Sequence, residues 1–319
     1  MSYIFLSYLN RSGSTFLVNQ LSRLPQICVC PEADLLYELF LTRPNKILNK
    51  HQLKKWQNLL SSDRKIKGWK IELKEILDQD QVGMKCYKIF LNFLNCFQKK
   101  HFPESTYILF KHNYLFKLNL PDNTNPESKI FWIYIQRALP AIYISQKLTI
   151  DPHSGKSMCS NPLLLIYTWN SIHHKLSSES YNDKKSLIIH YESLISDLNG
   201  EMDKILAFLK INGSFSHFSR KHSMHSKWII PFFQSLHPNI DKPPLEKRID
   251  DWENNISKYD HLILQLYAIN EQSEDHPILR KNNWFTLTSK LMILFFDMKM
   301  KLGIQKIKRL LFQAKYLIF

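Results

Sequence analysis

Glycine is scarce in this chain, with seven among 319 residues. We read the scarcity as compositional drift; it leaves a single glycine, Gly13, in the first turn. Cysteine is nearly as sparse. Cys28, Cys30, Cys86, Cys96 and Cys159 make an odd number and form no Cys-x-x-Cys pair, which argues against a disulfide scaffold and fits a reducing compartment. No apolar run reaches 18 residues, so no membrane span is expected. A secretory leader does not fit either, because the first turn is reached by residue 10 and cleavage would destroy it. These absences point to a cytoplasmic protein. There is no zinc-finger spacing, aromatic RNA-binding signature or helix-turn-helix pattern, so nucleic acid is not the expected partner. His222 and His225 stand three apart without an acidic or cysteine companion nearby, and no metal site is expected. Acids are the minority charge, 28 against 43 Lys and Arg, for a net charge of +15. That surplus favours anionic partners. Hydrophobic residues make up 44%, enough for one α/β domain with an appendage.

Tyr3 to Leu9 reads as a buried strand, and Phe16, Leu17, Leu21 and Leu24 give a helix that stops before Pro25. Between them lies Asn10-Arg11-Ser12-Gly13-Ser14-Thr15. A tight turn from strand to helix aims backbone N–H groups, at the positive end of a helix, at one point, which makes an anion seat. Gly13 lets the chain turn and lets a phosphate approach closely. A nucleoside-triphosphate loop needs Gly, four residues, then Gly-Lys-Ser/Thr. Here Thr15 keeps the hydroxyl, but Tyr8 replaces the first glycine and Ser14 replaces the lysine. The positive charge reappears as Arg11, which suits a phosphate-bearing donor better than a magnesium triphosphate.

Ser128 to Gln136 is a second strongly apolar run and suits a central parallel strand. It ends at Arg137, with Ser145 eight residues on in the next helix. A guanidinium gives a bidentate fork to phosphate oxygens, and a hydroxyl two helical turns later lies near the same face. Further strands are expected at Ile27–Cys30, Lys67–Ile71, Thr106–Phe110 and Ser186–His190. Helices are expected at Ala33–Leu41, Gln52–Leu60, Val82–Lys100 and Leu163–Leu176, with a polar loop at Pro121–Glu127. Strands alternating with helices mean a parallel sheet covered on both faces, with ligands beyond the strand C-termini. Arg11, Glu32, Lys111, Arg137 and Tyr191 would converge there. Residues 1–280 are expected to form this domain. Residues 281–319 are expected to form a basic amphipathic helix, with seven basic residues against Asp297 from Lys290 onward. Such a helix suits peripheral contact with an anionic membrane, and equally a helix docked on its own domain.

The stretch Arg11-Ser-Gly-Ser-Thr-Phe-Leu17, together with Arg137 and Ser145, resembles the sulfotransferases that use 3′-phosphoadenosine 5′-phosphosulfate (PAPS). Tyr191-Glu-Ser-Leu194, Phe110-Lys-His-Asn113 and Ser226-Lys-Trp228 are in keeping with that pattern. The resemblance spans about residues 3 to 255. It is nearest to tyrosylprotein and bacterial carbohydrate or lipid sulfotransferases. It departs from the family after Arg137, where Ala138-Leu-Pro-Ala141 replaces the usual Asp-Pro-Arg-Ala. The resemblance implies an α/β fold with a P-loop-like phosphate-binding turn and PAPS as co-substrate without metal. The acceptor would be a hydroxyl on a glycan, a lipid or a tyrosine. It also implies that Ser12, Gly13, Ser14, Thr15 and Phe16 hold the 5′-phosphosulfate and that Arg137 and Ser145 hold the 3′-phosphate. Tyr191, Lys227 and Trp228 would contact the nucleotide. Arg11 would stabilise the bridging oxygen, Lys111 the sulfuryl oxygens, with Lys70 a weaker candidate. Glu32 would be the general base, aided by an elevated pKa, with His112 and His190 as alternatives. Two rival readings remain: a small-molecule or nucleotide kinase with a degenerate loop, and a non-catalytic nucleotide-binding protein of the same fold.

Overall fold

The computed structural model describes residues 1–78, 81–118, 129–151, 154–159, 161–176, 186–218 and 249–268. Five strands form one sheet: β1 (Ser2–Tyr8), β2 (Ile27–Val29), β3 (Tyr107–Lys111), β4 (Lys129–Gln136) and β5 (Ser186–His190). Their order is β2-β3-β1-β4-β5 and every pair is parallel. The sequence explains this directly. β1 and β4 are near-continuous runs of Ile, Leu, Phe, Tyr and Trp, the composition of strands buried on both faces. In register, Leu6 lies beside Lys111 and Tyr8 beside Ile135, while Gln136 pairs with His190. The C-terminal strand ends therefore form one edge, and β1 lies between β3 on one side and β4 on the other. Such a switch point is where open α/β sheets bind ligands.

Alternation along the strands divides the core. Ile4, Leu6, Leu109, Ile133, Ile135 and Ile189 pack with Leu17, Val18 and Leu21 of helix α1 (Ser14–Leu21) and with Ile205, Leu206 and Leu209 of the helix Leu198–Leu209. The opposite face carries Tyr3 and Phe5. Phe5 meets Phe90 edge-on at 6.1 Å, and Tyr3 donates to Asn95 at 3.0 Å, both on the helix Cys86–His101. Helices thus cover both faces, as expected.

Two local expectations change. Lys67–Ile71 is not a strand. The Asp63 carboxylate caps a short helix, Arg64–Gly68, by accepting the Ile66 N–H at 2.8 Å, and Lys70 turns the chain out at φ 52°. Buried Trp69 produced the strand-like apolar signal. The helix expected from Val82 begins at Cys86, because Gly83 at φ 90° makes a turn and Lys85 bridges antiparallel to Ile47.

The chain divides into two compact units. The sheet and its helices belong to the first, residues 1–160 and 174–256. The second comprises 161–173 and 257–319. Within it, Ser257 caps the helix Lys258–Tyr267 by accepting the Asp260 N–H at 3.0 Å. Among the described residues no helix is long and apolar enough to cross a membrane. The Pro121–Glu127 loop, His222, His225, Lys227, Trp228 and the basic stretch 281–319 lie outside the described residues.

Candidate active site

The turn between β1 and α1 is built from two left-handed residues, Arg11 at φ 72° and Gly13 at φ 90°. The Ser12 N–H closes it on the Leu9 carbonyl at 3.1 Å. The left-handed conformation costs Arg11 roughly 1–2 kcal/mol, a strain that surrounding contacts must hold. Three do so. Gln146 donates to the Asn10 carbonyl at 2.8 Å, Arg11 Nε donates to Ser145 Oγ at 3.1 Å, and Arg137 Nη1 donates to the Arg11 carbonyl at 3.1 Å. Gln146 and Ser145 lie on the helix Leu139–Leu148, which follows β4.

Helix α1 starts from Gly13 with no side-chain cap, so its first-turn amides are not claimed by a capping hydroxyl or carboxylate. Ser12 Oγ is fully buried and has no hydrogen-bond partner. An orphan hydroxyl beside a set of helix-terminal amides is the donor set that a phosphate completes.

Tyr191 closes the back of the turn. It is buried, its ring lies 4.6 Å from the Arg137 guanidinium, and a Cβ added at Gly13 would sit 2.2 Å from its Cδ2. Its neighbour Glu192 accepts the Ala138 N–H at 2.9 Å, tying the segment after β5 to the segment after β4. Gly13→Ala would suffer both the left-handed penalty and this collision. Gly83→Ala would suffer only the penalty, since nothing lies within 4 Å of its Cβ. Thermal unfolding of the two variants should show Gly13→Ala losing several degrees more, at about 2–4 °C per kcal/mol. Equal losses would mean that Tyr191 does not brace the loop.

On the other side of the turn stands Lys111, the last residue of β3 and only 3% exposed. The two-residue period that puts Leu109 on the α1 face puts Lys111 there also. Its ammonium donates to Thr15 Oγ1 at 3.1 Å and pairs with Glu32 Oε1 at 2.8 Å. Tyr8, at the end of β1, donates to the same carboxylate oxygen at 3.1 Å. Burial works to raise the Glu32 pKa. The Lys111 charge and hydrogen bond, and then the Lys65 charge, outweigh it and hold the carboxyl at about 2. The elevated pKa expected for this residue is therefore not what the ion pair produces.

Two residues on, Asp34 pairs with Lys65 at 2.5 Å and faces His112 Nε2 at 3.4 Å. Burial works to raise its pKa as well, but the His112 hydrogen bond and the Lys65 charge hold it well below the usual carboxylate range. His112 Nδ1 accepts the Tyr114 N–H at 3.2 Å, which assigns the ring proton to Nε2. The imidazole stacks on Tyr37 at 4.1 Å.

The Sulfotransferase family model matches residues 4–215 of the chain. The chain belongs to the sulfotransferase family. No curated protein matches it. Solved structures to which this sulfotransferase is similar include the sulfotransferase domain of the curacin biosynthetic pathway, at 16% identity and TM-score 0.45, covering 84% of this chain and 97% of that one. Another is the sulfotransferase domain of the Synechococcus PCC 7002 olefin synthase, at 15% identity and TM-score 0.47, covering 83% and 92%. A third is mouse sulfotransferase SULT7A1 complexed with PAP, at 15% identity and TM-score 0.48, covering 83% and 82%.

Within this sulfotransferase the sequence-predicted residues of the first unit fall into two groups. Arg11, Arg137, Ser145, Gly13 and Tyr191 form one, and Thr15, Lys111 and Glu32 the other. Ser12 lies buried within the turn, and Ser14 and Phe16 open α1. His190 ends β5 at one edge of the sheet, opposite the β2 edge that leads into Glu32. Lys70 is exposed at its left-handed turn. Among the described residues no group of three or more His, Cys, Asp or Glu is placed to hold a metal ion. Sequence reasoning missed Tyr8, Asp34, Gln146 and Glu192. Only Glu192 carried a signal, because it adjoins Tyr191 in the matching Tyr-Glu-x-Leu stretch.

Proposed function

We propose that this sulfotransferase moves a sulfuryl group from PAPS to a hydroxyl acceptor. The observation that carries the reading is the double engagement of Lys111, which touches Thr15 of the phosphate turn and Glu32 at once. A cation for developing negative charge and a carboxylate for a proton thereby meet at the mouth of an anion seat. The amides of the first α1 turn and Ser12 would hold the 5′-phosphosulfate, and Arg137 with Ser145 the 3′-phosphate. Arg11 stands between the two ends, with its backbone in the turn and its Nε on Ser145.

In the reaction the acceptor oxygen attacks sulfur in line. The new O–S bond forms as the bond from sulfur to the bridging phosphate oxygen breaks, and that oxygen keeps the electron pair. Lys111 and Arg11 stabilise the oxygens that gain charge, and Glu32 takes the hydroxyl proton. As Lys111 turns toward the sulfuryl oxygens its grip on Glu32 loosens. Burial, the opposing influence on that carboxyl, then makes it a better base. A sulfuryl group carries less charge than a γ-phosphoryl group, so side-chain cations and amides suffice.

Binding of adenosine 3′,5′-bisphosphate tests this. In EDTA, at a hundred times its dissociation constant, it should stabilise the protein by about 2.7 kcal/mol, a rise of roughly 5 °C in Tm. ATP with magnesium should give no rise. The reverse pattern would favour the kinase reading. A rise without any transfer of labelled sulfate to acceptors would favour the non-catalytic one.

A further inference from the structure

Asp34 takes no part in the chemistry just described, yet the fold holds it on two sides. Its side chain is 62% exposed, which for an aspartate at a helix start ordinarily means a solvated, freely rotating group. Here each oxygen is anchored, one by Lys65 at 2.5 Å and the other by His112 Nε2 at 3.4 Å. The anchor is itself rigid. His112 is 6% exposed at its side chain, stacks on buried Tyr37 and accepts the Tyr114 N–H, and the Tyr37 hydroxyl donates to the Tyr114 carbonyl at 3.1 Å. The imidazole also lies parallel to buried Phe110, with the ring centroids 6.5 Å apart. Lys65 and the Tyr37-stacked His112 thus set the direction of one exposed carboxylate, two residues from Glu32 and within its electrostatic reach.

A carboxylate offers about four acceptor positions. Lys65 and His112 use two, and the others lie at an exposed group. Glu32 accepts the proton of the reacting hydroxyl, so a second, fixed acceptor beside it fits a molecule that presents a second hydroxyl. A lone phenol or simple alcohol would leave Asp34 unused. Glu32, Asp34 and half-buried Glu38 share one neighbourhood with Lys111, Lys65 and Lys117, three acids against three lysines, so no excess of charge there calls for an ionic acceptor. We propose that Asp34 orients the acceptor and that the acceptor is a neutral polyol, a carbohydrate with a free hydroxyl beside the one sulfated. This rests on the sulfotransferase reading above.

The full-length protein should be given radiolabelled PAPS with the methyl glycosides of glucose, galactose and mannose, their monodeoxy counterparts, 4-nitrophenol and 1-octanol. Sulfation of a glycoside in preference to the phenol and the alcohol is expected, with kcat/KM falling about 10- to 100-fold when the neighbouring hydroxyl is removed, the range for one hydrogen bond to a charged group. Asp34→Asn should raise KM for the parent glycoside by about tenfold, change kcat little and abolish the discrimination against the deoxy sugar. Lys65→Met, which frees one carboxylate oxygen but keeps the acceptor, should preserve that discrimination. Both variants should keep the thermal shift given by adenosine 3′,5′-bisphosphate, which shows that they are folded. Transfer to the phenol or octanol with no glycoside used overturns the proposal, as does an Asp34→Asn loss that is equal for parent and deoxy sugars. Failure of the wild-type protein to bind the bisphosphate would instead overturn the donor reading.

Discussion

Arg137→Ala is expected to weaken binding of adenosine 3′,5′-bisphosphate by on the order of 100-fold, about 3 kcal/mol, the worth of two charge-assisted hydrogen bonds. The residue does two things at once. Its guanidinium would fork onto the 3′-phosphate, and Nη1 already holds the Arg11 carbonyl at 3.1 Å while the group lies over the Tyr191 ring at 4.6 Å. Removing it deletes a phosphate partner and releases the strained Arg11 turn. Arg137→Lys should restore only part of the affinity, because an ammonium cannot hold both a phosphate and a carbonyl in the planar fork. Isothermal titration measures both variants. Unchanged affinity in Arg137→Ala would remove the 3′-phosphate seat from the account.

Glu32→Gln should lower kcat by about 10²- to 10⁴-fold, the usual worth of a general base, and leave bisphosphate affinity nearly intact. The pH dependence follows from the ion pair with Lys111. With its pKa held at about 2, below the ordinary 4.5, Glu32 is ionised in the free enzyme across the neutral and mildly acid range. The acid limb of kcat/KM, which reports the free enzyme, should therefore lie below about pH 4. Because the folded value is depressed, the stability this group contributes is complete above about pH 4.5 and is lost as the pH falls toward about 2. Lys111→Met leaves burial unopposed by that charge and hydrogen bond, so the carboxyl should rise and the limb move to higher pH. A wild-type limb near pH 6–7 (about the ordinary histidine range) would assign the proton transfer to a histidine, and His112 would be the first to test.

The turn between β1 and α1 was legible because its residues act through the backbone. Gly13, the apolar run before it and the amphipathic run after it dictate a strand, a sharp turn and a helix start, whatever packs around them. Arg137 was legible for a similar reason, since a long buried strand parallel to β1 ends at the same sheet edge. Lys111 and Glu32 follow from the register of β3 and the short β2, and the likeness to known sulfotransferases marked both. What stayed hidden depends on side chains meeting across the sheet edge. Nothing in the spacing of Gln146 or Glu192 says that they hold the Asn10 carbonyl and the Ala138 amide. Asp34 belongs to none of the motifs in the sequence, and only the placement of His112 and Lys65 around it gives it a fixed direction. The depressed Glu32 pKa was unreadable for the same reason, because its cause is a lysine on a different strand, far along the chain. Lys67–Ile71 misled because Trp69 is buried without a strand around it.

One bisphosphorylated adenosine is expected to lie between the first α1 turn and the Arg137–Ser145 pair, and every assignment above depends on it. A crystal structure with adenosine 3′,5′-bisphosphate measures this directly. The 5′-phosphate is expected on the amides of Gly13 to Phe16 and on Ser12 Oγ, and the 3′-phosphate within hydrogen-bond distance of Arg137 and Ser145. A nucleotide bound elsewhere, or one whose 3′-phosphate is turned away from Arg137 into solvent, would contradict it.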